Sequence, residues 1–579
     1  MAMQFLSISS QPSLWHRHQV FRSACHSKSI NYDLTASRRS ANYMPNIWDY
    51  DSIQLLRSDY QGEAYGRRAE KLKEEIGSLL IRDVGEPLTH LQLIDDAERL
   101  GLGHLFEIEI METLNNIWVR NNIKGIEGDL HATALQFRLL RKHGFRVSQD
   151  VFKNFIDGRG SYIASVSEDD GGMLSLYEAS HHALQGETVL DEYRAFTSSY
   201  LKVFKRKPDD QLAKMVEHSL ELPLHWRMPR TEARWYLNVY ETQKDMNPIL
   251  LELAKLDFNM LQAIHQKDLR DASRWWRDLD LGRRLSFSRD RLVESFVVAL
   301  GVIPEPQFGY GRVGLAKVCQ FITTLDDIYD VYGSLDELEC FTDAIDRWDV
   351  TSMDQLPEYM KICFLALYNT VNEMGFEILK EQGLDAIPYL RKVWADFCKS
   401  MLVESKWYHN GYRPSLQEYL DNSWVSSSAP VILVNALFLA SREIRTEALD
   451  VIDESSNLLR WSSMIFRLCN DLGTCTKEEE IGDVSSAIQC YMNDAHVSEG
   501  IARDHIKDLI ADAWKKLNKE VDSCSSPRSS HFTKIAFNLA RVAHCIYQFG
   551  DGHSVQDEEN KDRITSLLIK PLVINDMLS

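Results

Sequence analysis

The chain has 579 residues, of which 44% are apolar and 26% charged, and a formal charge of −20. This is ordinary globular composition, and the acidic balance argues against a nucleic-acid binder, which would carry a basic footprint. No uninterrupted apolar run reaches the roughly 18 residues of a membrane span, so no membrane segment is expected.

Residues 1–30 contain no Asp or Glu, are rich in serine, and carry Arg17, Arg22 and Lys28. That pattern predicts an organelle transit peptide, residues 1–37, without separating plastid from mitochondrion. After residue 50, helical periodicity dominates. Residues 65–82 read as an amphipathic helix. In 129–144, Leu130, Ala134, Phe137 and Leu140 fall at helical spacing, with Asp129 as N-cap and Gly144 as stop. Segments 185–206, 229–243 and 247–265 follow the same rule, the last opened by Asn247-Pro248. No sustained two-residue alternation appears, and the fold class is all-α. At about 150 residues per domain the length suggests about four domains. Pro223, Pro229 and Pro248 instead point to one boundary near 225–250. Cys25 stands alone, and the other nine cysteines lie between Cys319 and Cys545 with no CxxC pair. Buried free thiols are expected.

Three constellations carry chemistry. Asp326-Asp327-Ile328-Tyr329-Asp330 ends an apolar helical stretch, and on a helix Asp326 and Asp330, at i and i+4, share one face. Taken alone this is equally a solvated acidic surface. As a ligand pair it calls for a hard cation, Mg²⁺ or Mn²⁺, completed by substrate phosphates. Further on, Asn470, Thr474 and Glu478 at i, i+4 and i+8 offer three oxygens on one face. Arg289-Asp290-Arg291 precedes the first cluster and Arg467 the second. Guanidinium groups are suited to clamp diphosphate oxygens.

Together these motifs resemble the plant terpene synthases that start by ionising their substrate. DDIYD is similar to the family's aspartate-rich motif, and NDLGTCTKE to its second metal motif. Arg38-Arg39, eight residues and Trp48 resemble the RRx₈W motif of monoterpene synthases. The resemblance spans nearly all of 38–579. It implies two helical domains, a relic N-terminal α-barrel (38–245) and a catalytic metal-binding bundle (246–579). It implies that Asp326 and Asp330 hold two Mg²⁺ and that Asn470, Thr474 and Glu478 hold a third, three per active site. Asp327 would be their supporting partner. Arg289, Arg291 and Arg467 would hold the diphosphate, with Asp326, Asp330 and Asn470 facing it. Arg38, Arg39 and Trp48 would belong to a strand folded over the closed site. The expected activity is ionisation of geranyl diphosphate, isomerisation, and cyclisation or quenching to a C10 product, by a plastid monomer. Ionisation in a dry, charge-neutralised pocket is favoured electrostatically, and aromatic faces steady the cation. Phe296, Tyr329, Trp424, Phe466 and Tyr547 are the aromatic candidates. Tyr547, beside the Gly550-Asp551-Gly552-His553 loop, and Asp551 are the protein's candidates for proton removal, with released diphosphate an equal candidate base.

Departures from the family pattern bear on rate and product. Val298 stands where Trp is common. Ile481 and Ser486 replace two basic residues after the second metal motif, and Ala429 replaces a glycine at a helix break. A chain-elongating prenyltransferase would need two aspartate-rich motifs where one is present, and a helical scaffold without catalysis would leave the arginine and oxygen-ligand constellations unexplained. A protonation-initiated cyclase needs DxDD, and Ser167-Glu168-Asp169-Asp170 fails at its first position. A sesquiterpene synthase acting on farnesyl diphosphate shares the metal motifs. A nicotinamide-dependent oxidoreductase would use Gly309-Tyr310-Gly311-Arg312-Val313-Gly314 as a dinucleotide fingerprint, but Pro304 and Pro306 separate it from the preceding apolar run.

Overall fold

The structure is a computed structural model and describes residues 38–82, 87–119, 128–155, 169–204, 211–441, 444, 456–481, 486–523 and 529–574; side chains at 476–481, 522–523 and 529–530 are outside that description. The transit segment 1–37, Ser167 and Glu168 also lie outside it. From Arg39 onward the chain forms one compact unit. Among the described residues there is no strand, as the missing two-residue alternation requires.

Helices α1 to α9 lie between Tyr50 and Tyr240. The predicted start at Asp129 is real: its carboxylate accepts from the Ala132 backbone N–H at 2.9 Å, and Gly144 ends the segment at φ +83°. Then come α10 (Pro248–Leu279), α11 (Leu281–Arg284), α12 (Leu292–Val302), α13 (Gly309–Asp327), α14 (Leu335–Arg347) and α15 (Glu358–Gln382). They are followed by α16 (Ile387–Asn410), α17 (Leu416–Ser426), α18 (Ala429–Ala440) and α19 (Asn457–Ile481). The last are α20 (Ala487–Ala495), α21 (Glu499–Ser523), α22 (Ser529–Tyr547) and α23 (Glu558–Leu568).

Two apolar cores result, and α10 runs through both. Asn247 caps it by accepting from the Ile249 and Leu250 N–H groups, and Pro248 supplies a preset first turn. Its first half, Leu250 to Phe258, packs among the helices that precede it, and its second half, Leu269 to Trp276, among those that follow. The two cores exchange arms. Ile53 and Met228 pack in the later core, and Leu572 packs in the earlier one.

Two expectations drawn from local sequence change here. Gly309, Gly311 and Gly314 begin α13 and hold no nucleotide loop; a Cβ on Gly311 would sit 2.6 Å from the Leu439 carbonyl, and one on Gly314 3.0 Å from the Leu439 side chain. These glycines let α13 press onto α18, and with no strand beneath them the oxidoreductase reading falls. The stretch Leu416–Ala440 is long and apolar enough to cross a membrane by composition. It is broken between α17 and α18, and every residue of Ala429–Ala440 is buried inside the protein. The eight described cysteines are free thiols, all but Cys340 buried.

Candidate active site

A cavity of about 620 Å³ opens among α12, α13, α16, α18, α19 and α22. Asp326, Asp330, Arg289, Arg467, Asn470, Thr474, Tyr547 and Asp551 all line it. Residues from well-separated helices thus meet at one hole. Glu478 continues the α19 helix, but its side chain is outside the described residues.

The aspartate cluster is not one regular helix. α13 ends at Asp327, and Ile328–Tyr332 form a π-helical turn carrying Asp330. The Gly333 N–H donates to the Ile328 carbonyl at 2.8 Å, and a Cβ on Gly333 would also lie 2.8 Å from that oxygen. Such single π turns are frequent at functional sites. Gly473 has a similar role on the other wall. A Cβ there would meet the Tyr547 and Gly550 backbone oxygens at 3.1 Å, so this glycine lets α19 lie against the end of α22.

Behind each oxygen-rich face stands a fully buried aspartate holding an arginine. Asp327 lies 2.8 Å from Arg289 Nε and accepts from the Arg289 backbone N–H at 2.7 Å and Ser288 Oγ at 3.0 Å. Arg289 also pairs with Asp326 and donates to Ser554 Oγ at 2.7 Å. Burial alone would lower the Arg289 guanidinium, but Asp327, Tyr43 and Asp326 outweigh it and hold it well above its usual range. On α19, Asp471 lies 2.9 Å from Arg467 Nε and accepts from Tyr419 Oη and the Ala487 N–H. Glu404 also lines the cavity. It accepts from Asn422 Nδ2 at 2.9 Å and from Ser426 Oγ, and burial pushes its carboxyl up. Sequence reasoning missed Glu404 and Asp471. Asp471 was signalled by its i+4 spacing from Arg467, whereas an isolated Glu404 gives no local sign.

The N-terminal segment covers the opening. Ala41 to Pro45 and Ile47 line the cavity, Arg39 donates to the Asp330 carbonyl at 3.1 Å, and the Tyr43 ring lies 4.7 Å from the Arg289 guanidinium. Arg291 takes a different place from the one expected. It is buried, does not line the cavity, and donates to the Asp290, Met44 and Ser554 carbonyls. Of the aromatic candidates, Phe466 and Tyr547 line the cavity and meet edge to face at 5.9 Å. Phe296 is core, Tyr329 is core and bonded to Thr342, and Trp424 faces Arg460. Phe397, not predicted, is a lining ring. Val298 lines the cavity, so the missing indole bears directly on pocket shape. Ala429 begins α18 with ordinary backbone; the left-handed residue of the break is Ser428, at φ +66°. Ser486 is the buried N-cap of α20, and Ile481 lies outside the described side chains. Burial pulls the His553 imidazole down to about 4, so it faces the cavity uncharged at neutral pH.

The donors around the cavity are hard oxygens. Among the described residues no three carboxylate, imidazole or thiol groups converge on one point. Thr474 Oγ1 spends its hydrogen on the Asn470 carbonyl at 2.9 Å, which leaves its lone pairs free to coordinate. This open, incomplete oxygen set fits Mg²⁺, which keeps several waters and takes substrate phosphates as ligands.

A cavity within the later all-α core, ringed by hard-oxygen donors and arginines, is the architecture of a terpene synthase. The comparisons agree. Residues 277–516 match the family described as "Terpene synthase family, metal binding domain", and 47–220 match "Terpene synthase, N-terminal domain". The chain is 53% identical to a chloroplastic myrcene synthase of Quercus ilex over 545 residues, 93% of this chain and 90% of that one. It is similar to the crystal structure of a limonene synthase with 2-fluorolinalyl diphosphate, at TM-score 0.90 and 42% identity over 93% of this chain and all of that one. It is also similar to isoprene synthase from Populus x canescens with three Mg²⁺ and dimethylallyl-S-thiolodiphosphate, at TM-score 0.84 and 44% identity, covering 91% of this chain and 99% of that one. The chain belongs to the terpene synthase family and is a lyase with a divalent-metal site.

Proposed function

We propose that this chain is a plastid monoterpene synthase that converts geranyl diphosphate to a C10 product and releases diphosphate. The observation that carries this reading is the single cavity into which Asp326, Asp330, Asn470, Thr474, Arg289 and Arg467 all face. Asp326 and Asp330 would hold two of three Mg²⁺, or Mn²⁺, and Asn470, Thr474 and Glu478 the third. The ions supply charge neutralisation for the departing diphosphate. Arg289 and Arg467 donate to its oxygens, their planes set by Asp327 and Asp471. Phe466, Tyr547 and Phe397 give the cation apolar faces and exclude water. Tyr547, which burial keeps as a neutral phenol bonded to Asn470, orients the terminal cation, and Asp551 accepts the proton. The N-terminal domain, 38–245, supports the catalytic one, 246–579, and the enzyme is a monomer.

The RRx₈W segment over the opening supports a C10 substrate, and relatives named chloroplastic support a plastid address for residues 1–37. The test is to incubate the chain, with and without 1–37, with C5, C10, C15 and C20 diphosphates and either Mg²⁺ or Mn²⁺, and to analyse volatiles by gas chromatography. Turnover of the C10 substrate is expected. Turnover of the C15 substrate alone would establish a sesquiterpene synthase instead.

A further inference from the structure

The cover over the cavity consists of two segments far apart in the chain, 41–48 and 551–557. Both are fastened to the first turn of α12. Glu294 is only 4% exposed, and one of its carboxylate oxygens, Oε1, accepts from the Trp48 indole Nε1 at 2.9 Å and from Gln556 Nε2 at 2.7 Å. Gln556 closes the ring of contacts. Its Oε1 accepts from the Ile47 backbone N–H at 3.1 Å, and its Nε2 lies 3.4 Å from Asn46 Oδ1. Arg291 repeats the arrangement with opposite polarity, donating to the Met44 carbonyl at 2.8 Å and the Ser554 carbonyl at 3.2 Å. One turn of helix thus presents an acceptor and a donor, each shared between the two segments.

The remaining Glu294 oxygen, Oε2, is buried with no hydrogen-bond partner. A buried carboxylate is costly unless donors satisfy it, and here its two side-chain donors come one from each covering segment. A buried acceptor that loses donors costs free energy unless water replaces them. Releasing one segment therefore weakens the hold on the other.

We propose that Glu294 is a positioning residue that ties segments 41–48 and 551–557 together, so that the cover opens and closes as one body. Its meaning for catalysis rests on the monoterpene synthase activity proposed above; the coupling itself does not.

The test is hydrogen exchange by mass spectrometry on the full chain, compared among wild type, Glu294→Leu and Glu294→Gln. In Glu294→Leu both segments should exchange faster, by about tenfold, with α13 and α19 unchanged. Glu294→Gln retains an acceptor oxygen and should restore most of the protection. Faster exchange of 41–48 alone, or of neither segment, overturns the proposal. Should Glu294→Leu not fold, Trp48→Phe and Gln556→Leu decide. Their effects on exchange should combine to less than the product of the single effects if the two donors share one latch, and a full product overturns it. In turnover, Glu294→Leu should raise the share of alcohol products several-fold, because water enters an open cavity. A wild type that leaves geranyl diphosphate untouched would count against the proposed activity, while the exchange result would still decide the latch.

Discussion

The Asp471 carboxylate lies 2.9 Å from Arg467 Nε, fully buried, on the α19 turn that carries Asn470 to the cavity. Across the cavity Asp327 stands in the same relation to Arg289, at 2.8 Å, one residue after the lining Asp326. In each motif the first position faces the cavity and the second turns inward to fix an arginine. The doubled acidic or amide-acid pair is therefore two jobs in adjacent residues.

Asp471→Asn should lower kcat/KM by about 10- to 100-fold, the usual effect of altering a residue that orients ligands and clamps. The amide still fills the space and offers an acceptor, but it no longer supplies the negative charge that pairs with Arg467. Steady-state turnover of geranyl diphosphate across a Mg²⁺ titration checks this. An unchanged activation curve would remove Asp471 from the support of the site.

Asp326→Ala should abolish turnover with the helical circular-dichroism signal intact. Asp326 is 39% exposed at its side chain and makes little core contact, so its loss should cost little stability. Chelation of divalent metal in the wild type should give the same loss, reversed by added Mg²⁺. Retained turnover in the variant would exclude Asp326 from metal binding.

Val298→Trp should change the product mixture more than it changes the rate of substrate consumption. The side chain points into the cavity, where contacts of methylene size are worth about 1–3 kcal/mol and re-weight competing carbocation fates. Gas chromatography of the volatiles reads the result. An unaltered mixture would mean that the cation is not held near this wall.

Asp96 gives a pH prediction remote from the site. It accepts from Tyr236 Oη at 2.7 Å, and burial pushes its carboxyl up to about 7. The folded state then binds a proton that the unfolded chain releases near pH 4, so stability falls as pH rises from about 4 to 7. Asp96→Asn keeps the acceptor for Tyr236 without the charge. It should stabilise the protein by about 1–2 kcal/mol at pH 8, discounted for partial exposure, and by almost nothing at pH 4. Melting curves at the two pH values measure the difference.

Much of the site was legible because its chemistry is local. DDIYD and NDLGT mark their own helices, and Asp326, Asp330, Asn470 and Thr474 all line the cavity, Asp330 from a π-helical turn rather than from the same regular helix as Asp326. What was not legible depends on contacts between distant segments. Arg291 reads like Arg289, yet it is diverted by the carbonyls of Met44 and Ser554. Phe296 and Tyr329 have the right periodicity for a lining ring, but neighbouring helices bury them. The π turn at Ile328–Tyr332 is set by the closure of Gly333 onto Ile328, which no periodicity predicts. Glu404 is set at the cavity by the packing of α16 on α17, where Asn422 and Ser426 donate to it.

The exchange of arms between the two cores bears on how this protein can be taken apart. A catalytic fragment begun at Pro248 would leave Leu250 to Phe258 as a bare oily stripe and strand Leu572 outside any interior. The bonds of Asn259 to the carbonyl and N–H of Leu572 would remain in that fragment but would hold the residue against no apolar core. The converse fragment would leave Ile53 and Met228 without the partners they pack on. Neither half is therefore a severable module, because each leaves apolar side chains of the other without the partners they pack on.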